Sequence, residues 1–126
     1  MKKKNNIIIV KNQKELEEIP LDFKGTINIE LNSKIVKTVI EIKNRYYNPI
    51  NVKDNSLFST IIALNNSYIR VFNGNYIEAR DNSFVEDISG SDIIAKDNSN
   101  IKTYNGRITA EDNSNVIAAL RECCRS

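Results

Sequence analysis

Apolar and polar residues alternate along most of the chain, and pairs of apolar positions recur at a nearly constant interval. From Ile61 onward, each apolar–x–apolar pair begins eight residues after the previous one, with one interval of seven before Ile108. Alternation of period two is typical of a strand that buries one face. Because eight is an even number, the same face is buried in every strand.

The strands are separated by short polar turns that also repeat. Asp-Asn-Ser occurs at 54–56, 81–83, 97–99 and 112–114, with Asn-Asn-Ser at 65–67, and turns centred on Gly74, Gly90 and Gly106 alternate with these. The full unit is therefore about 16 residues, made of two unlike halves. Since Asn and Gly tolerate the left-handed backbone of a sharp corner, we expect that conformation at the central residue of each turn.

Short strands joined by tight corners, without crossover helices, stack as a solenoid. The sequence therefore predicts an all-β protein, a right-handed parallel β-helix of roughly five to six coils. We expect one face to stack Ile29, Ile50, Ile69, Val85, Ile101 and Val116. We expect the other to stack Ile40, Ile61, Ile77, Ile93 and Ile108, beside the small residues Ala63, Ala79, Ala95 and Ala110.

The N-terminal segment predicts a cap for the first coil. A short apolar run at 7–10 precedes Asn12, and Glu15 follows three residues later, which is a capping-box pattern. Leu16 and Ile19 then lie on one face of a short helix that covers the apolar opening. We divide the single domain into a cap at 1–24, a β-helix at 25–120 and a tail at 121–126.

The C-terminal end has no comparable lid in the sequence. The last predicted strand is unusually apolar, and an uncapped strand pairs readily with another chain. We therefore expect a homodimer whose interface includes Val116, Ile117 and Leu120. The alternative is a tail that folds back over the same edge.

Composition narrows the possible functions. The 126 residues suit one domain, the net charge is only +2, and the chain has no His, the commonest general base. No apolar run is long enough to span a membrane, and the N-terminal one is too short for a signal peptide, so we expect a cytoplasmic protein without membrane contact. The adjacent Cys123 and Cys124 cannot form an ordinary disulfide with each other. We expect reduced thiols and no cofactor or metal.

The segment Gln13 to Pro20, the stretch from Phe23 to Ile27 and the V-x-A-x-D/G-N-S units that follow resemble a family of small repeat proteins. Its members occur in phages, mobile elements and low-GC bacteria, and the resemblance covers roughly residues 13–120. Small proteins of that provenance include anti-CRISPR proteins. The resemblance therefore implies a β-helix fold, and the provenance of the family, rather than any motif of this chain, suggests an inhibitor of a host defence system.

Three polar ladders are predicted along the corners. Asp81, Asp97 and Asp112 fall in register, and they either bind Ca²⁺ or each accept the backbone N–H two residues on. The central residues Asn66, Asn82, Asn98 and Asn113 are expected to form a structural side-chain ladder, with Ser67, Ser83, Ser99 and Ser114 beside it.

Asp87 occupies a predicted inward position whose ladder otherwise carries Val52, Val71, Thr103 and Ala118. Either a buried carboxylate marks a site, or the chain shifts register there and Ile88 turns inward.

The predicted loops are about three residues long, too short to wall a substrate groove. We therefore expect no enzymatic activity.

Aromatic and charged residues frame one outward face. Arg70, Glu86 and Lys102 alternate in sign at aligned positions, and Tyr68 and Phe84 flank them on one side. On the other side, Phe72, Ile88 and Tyr104 either complete a protein-binding patch or fill the core at the corner.

We expect Arg70, Phe72, Lys102 and Tyr104 to bind a protein partner, with Arg45 and Tyr47 as a second patch. The sequence thus predicts a non-enzymatic inhibitor that occludes an RNA-guided nuclease, such as a CRISPR–Cas effector. A self-assembling structural solenoid is the alternative. A third hypothesis is a nucleic-acid mimic or single-strand binder, which the weak net charge does not favour.

Overall fold

The chain forms a parallel β-solenoid of about seven turns, with about 16 residues in each coil. The structure is a computed structural model that describes residues 2–4, 6–88, 91–104 and 107–118. It confirms the predicted fold class, including the N-terminal strand and helix.

The strands divide between two sheets. Sheet A contains, in order, β1 (Lys2–Lys4), β2 (Ile7–Val10), β3 (Thr26–Leu31), β5 (Ile50–Asp54), β7 (Tyr68–Asn73), β9 (Phe84–Asp87), β11 (Asn100–Thr103) and β13 (Asn115–Ala118). Sheet B contains β4 (Thr38–Ile42), β6 (Ser59–Ala63), β8 (Tyr76–Ala79), β10 (Asp92–Ala95) and β12 (Arg107–Ala110). All neighbouring strands of the described chain are parallel except β1 and β2.

The ladders of sheet B are confirmed. Its predicted isoleucines pair in register from Ile40 to Ile108, and the four alanines pair from Ala63 to Ala110. Ile42 precedes the alanines at the same inward position. The last members are less buried than the others because β12 is the final strand of this sheet in the described chain.

One assignment in sheet A is wrong. Ile29 lies beside Val52 rather than Ile50, a displacement of two residues that keeps Ile29 facing inward. Three residues of β3 face inward, Ile27, Ile29 and Leu31, and alternation alone does not show which two of them align with Ile50 and Val52. The number of coils is also larger than predicted, since β2 pairs in parallel with β3 and adds a turn.

The left-handed residues of the corners are also displaced from the prediction. Positive φ angles occur at Asn65 (58°), Asp81 (55°), Asp97 (56°) and Asp112 (57°), which is one residue before the predicted Asn at each corner. Asp adopts this conformation more readily than most residues because its short polar side chain bonds locally. Here the carboxylates also contact the preceding coil, as described below.

The N-terminal cap closes the apolar end of the solenoid. In α1 (Gln13–Glu17) the Asn12 side chain accepts a hydrogen bond from the Glu15 N–H at 2.9 Å, while Glu15 itself accepts from the Lys11 N–H at 2.8 Å. Leu16 and Ile19 are buried in the core, as predicted.

The cap also satisfies the free edge of sheet B. The side-chain amide of Gln13 donates to the Glu41 carbonyl at 3.0 Å and accepts from the Glu41 N–H at 2.7 Å. Gln13 thus makes the two bonds that a further strand would make with β4. On sheet A, the outermost strand β1 is short and consists of three lysines, features that discourage pairing with another chain.

Replacing Gln13 should expose this edge. We expect Gln13→Ala to lower the free energy of unfolding by roughly 1–2 kcal/mol, because both Glu41 backbone groups lose their partner. Lys14→Ala is the matched control, an exposed neighbour on the same helix. Denaturant unfolding followed by circular dichroism measures both, and equal stabilities of the two variants would contradict this role.

Candidate partner-binding face

The outward column on sheet A is formed as predicted. Strand register places Glu86 between Arg70 and Lys102 on successive coils. Arg70 Nε lies 3.0 Å from Glu86 Oε1, and this hydrogen bond raises the pKa of the Arg70 guanidinium above its ordinary value. Lys102 Nζ instead lies 5.7 Å from the centre of the Tyr104 ring, a cation–π distance.

The two predicted patches are joined into one surface through Tyr68. The Tyr68 and Phe84 rings lie 5.0 Å apart at an angle of 43°. The guanidinium of Arg45 lies 5.2 Å from the centre of the Tyr68 ring, a cation–π distance. Arg45 is therefore not part of a separate patch but extends the Arg70 column.

The loop that carries Arg45 has one anchored tyrosine and one exposed tyrosine. Tyr46 is buried, its hydroxyl donates to the Ile19 carbonyl at 3.1 Å, and burial raises its pKa. Tyr47 is 74% exposed and borders a shallow cleft that Arg45 and Phe23 also line. Tyr47 is thus available for contact from solvent.

Phe72 and Ile88 do not fill the core. They are 38% and 41% exposed, and Tyr104 is half-buried. The Ile88 N–H donates to the Val71 carbonyl and the Tyr104 N–H to the Asp87 carbonyl, so these residues follow one another along a single corner of the solenoid. The alternative that they bend inward is wrong for Phe72 and Ile88.

Four further exposed apolar residues lie at this corner, and sequence reasoning missed them. Ile35 and Val36, in the loop after β3, are 88% and 61% exposed, and Leu57 and Phe58, in the loop after β5, are 58% and 55% exposed. The Leu57 N–H donates to the Ser33 carbonyl, which holds the two loops together. Both loops interrupt the octad repeat, and apolar residues outside the alternation were the available signal.

We call this set the apolar corner. It comprises Ile35, Val36, Leu57, Phe58, Phe72, Ile88 and Tyr104. Large apolar side chains this exposed are normal singly, but a series of them at the same corner of successive coils is typical of an interaction surface.

Asp87 is buried and faces inward, so the predicted shift of register is wrong. It accepts hydrogen bonds from the Ser91 N–H at 3.0 Å, the Ser91 hydroxyl at 3.2 Å and the Thr103 hydroxyl at 3.4 Å. Asp54 is held similarly at an earlier corner, by the Ser56 N–H and the Ser59 hydroxyl. These donors stabilise the carboxylates without any need for a ligand, so both residues hold a corner together.

The predicted acidic ladder also has a structural explanation. Asp81 accepts from the Asn65 N–H at 2.9 Å, Asp97 from the Asp81 N–H at 3.1 Å, and Asp112 from the Asp97 N–H at 3.2 Å. Each carboxylate therefore bonds to the preceding coil rather than to the N–H two residues on, which corrects the Asx-turn prediction. In the described part of the chain no cluster of three or more metal-binding side chains is found.

The Asn ladder is not formed, whereas the Ser ladder is buried. The predicted Asn side chains are exposed, and no hydrogen bond connects them within the described coils. Ser67, Ser83 and Ser99 are fully buried, and their hydroxyls, with that of Ser114, have no hydrogen-bond partner among the residues the structure describes. A buried hydroxyl without a partner costs stability because it loses its hydration.

The C-terminal residues of the predicted dimer interface lie at the last described strand. Val116 is half-buried and Ile117 is 57% exposed. Leu120, Cys123 and Cys124 lie outside the described residues.

No helix among the described residues is both long and apolar enough to cross a membrane.

Comparison of the chain with protein-family models, with curated proteins and with solved structures gave no match.

Replacing serine by alanine should change the free energy of unfolding in opposite directions at two buried positions, Ser83 and Ser59. Ser83→Ala should leave the free energy of unfolding unchanged or raise it by up to about 1 kcal/mol, because it removes a buried hydroxyl without a partner. Ser59→Ala should lower it by roughly 1–2 kcal/mol, because the Asp54 carboxylate loses a donor. Urea unfolding tests both, and a large loss for Ser83→Ala would mean that its hydroxyl is bonded in solution.

Proposed function

We propose that the chain is a non-enzymatic binding protein that contacts a protein partner through the apolar corner and the adjoining face of sheet A. The observation that carries this proposal is the series of exposed apolar side chains on successive coils, from Ile35 to Ile88. Exposing them costs solubility, and an interface that covers them removes that cost.

The side chains beside the corner indicate the chemistry of the partner. Arg45, Arg70 and Lys102 contribute three positive charges to this face, and Glu86 neutralises one of them. Arg, Tyr and Phe are the residues favoured at the centres of protein interfaces. We therefore expect a partner surface that offers apolar pockets with acidic groups around them.

The scaffold favours binding without rearrangement. Tyr68, Arg70 and Phe84 are on strands that are paired on both sides, and the Arg70–Glu86 and Tyr68–Phe84 contacts fix their side chains. Side chains that are ordered before binding lose less conformational entropy on docking.

The specific target class remains a prediction based on the family resemblance. An RNA-guided nuclease of a host defence system is large, cytoplasmic and rich in protein surface that a small rigid rod could occlude. A single-strand nucleic-acid binder is less favoured, because Glu86 stands in the middle of the charged column and forms a hydrogen bond with Arg70.

Affinity capture of the tagged protein identifies the partner. The bait is incubated with lysate of a CRISPR-bearing bacterium, with and without nuclease, and the captured proteins are identified by mass spectrometry. Recovery of an effector complex that survives nuclease treatment supports the proposal. Recovery of the bait alone would contradict it and favour a self-assembling solenoid.

Substitutions on the two faces test the surface itself. Phe72→Ala with Tyr104→Ala should weaken binding to the captured partner at least tenfold, since truncated hot-spot residues typically cost more than about 1 kcal/mol each. The matched control is Val39→Ala with Tyr76→Ala, on one outward column of sheet B. Calorimetry measures both, and an equal loss in the control variant, or a collapse in melting temperature of the first, would contradict this assignment.

A further inference from the structure

The two ends of the solenoid differ in how their strand edges are covered. At the N-terminal end, β1 covers sheet A with lysines and the Gln13 amide occupies the edge of sheet B. At the other end, sheet B stops at β12 and sheet A at β13, with no further strand paired to either within the described residues.

The backbone groups left open at this end can be identified from the hydrogen bonds of the preceding coils. The N–H groups of Arg107, Glu111 and Asn115 donate backward, to carbonyls of the previous coil. Neighbouring residues of a strand direct their N–H and C=O groups to opposite sides. Ile108, Ala110 and Val116 therefore direct both groups away from the solenoid, where another strand would lie.

The side chains at this end are also incompletely covered. Ile108 and Val116 are only half-buried, although their counterparts on the preceding coils, Ile93 and Ile101, are 1% exposed. Ala110 is exposed, whereas Ala95 is fully buried. The last coil thus presents core residues and strand edges together.

We propose that this end binds the same end of a second copy, forming a closed two-fold dimer in which β12 pairs antiparallel with the partner's β13, and β13 with the partner's β12. A second copy is the occupant that these edges favour, because it offers the same open groups and the same apolar core. The N-terminal end is blocked by its cap, so assembly stops at two chains.

The helical rise of the chain selects this pairing over a symmetric β13–β13 contact. Because β13 follows β12 by half a coil, the two edges differ in height by roughly half of the ~4.8 Å strand spacing. A two-fold axis parallel to the strands brings the higher edge of each copy onto the lower edge of the other, and both gaps are equal. An axis perpendicular to the sheets would make the gaps differ by a full strand spacing, and one pair of edges would stay open.

Light scattering after size exclusion tests the assembly with the 126-residue chain. We expect twice the 14.4 kDa chain mass for the wild type. Val116→Lys should weaken dimerisation at least about a hundredfold, because Val116 continues the inward column of Ile101 and its charge would be buried in the strand contact. Val39→Lys is the matched control, an exposed valine on β4 at the opposite end of sheet B, and it should remain dimeric.

Cysteine cross-linking tests the pairing independently of any folding defect. In a background with Cys123→Ser and Cys124→Ser, Thr109→Cys with Ile117→Cys should give a covalent dimer after mild oxidation, and each single variant should not. Both residues face outward on the strands that the proposal brings together, and within one chain they lie on different sheets.

Each other outcome overturns the inference. A monomeric wild type at high micromolar concentration would mean that this end is covered within one chain. Longer assemblies would contradict the blocked N-terminal end, and cross-linking of Ile117→Cys alone would contradict the β12–β13 pairing. None of these results bears on the proposed partner face, which lies on the side of the solenoid.

Discussion

The structure depends on the hydrogen bonds that each coil makes with the next. Inward-facing residues such as Val71 and Asp87 direct their carbonyls to the following coil, which donates its own N–H groups in return. The Asp side chains at the corners add bonds between the same coils, since the Asp81 carboxylate accepts from the Asn65 N–H of the coil before it. Inner coils bond to a neighbour on both sides, whereas each terminal coil has backbone groups without a neighbouring coil. At the N-terminal end the Gln13 side chain bonds to two of these groups, the N–H and the carbonyl of Glu41.

Most of the fold could be predicted because the repeat carries it. Alternation and an even spacing determine which side chains face inward, and the Ile40 and Ala63 ladders follow directly. The prediction was wrong where a non-local contact outweighs the local pattern. Asp81 takes the left-handed corner position because its carboxylate reaches another coil, and Asp87 stays inward because Ser91 and Thr103 bond to it.

The candidate surface was less predictable because the repeat does not constrain outward residues. The column from Arg70 to Lys102 followed from register alone. Whether Phe72 is exposed depends on the turn that follows it, and the sequence left both answers open. Ile35 and Phe58 belong to loops outside the repeat, where a single chain gives no measure of which side chains remain in solvent.

Successive coils share nearly the same length and the same corner bonds, although their outward side chains differ. The length of the surface can therefore change without a change in its existing side chains. Each corner Asp bonds only to the coil before it, so duplication of one 16-residue unit in the gene would restore these corner bonds and leave both ends unchanged. Such an insertion lengthens the apolar corner by one strand spacing, ~4.8 Å, without altering any existing side chain. The length of the surface that contacts a target can therefore change during evolution in steps of one coil.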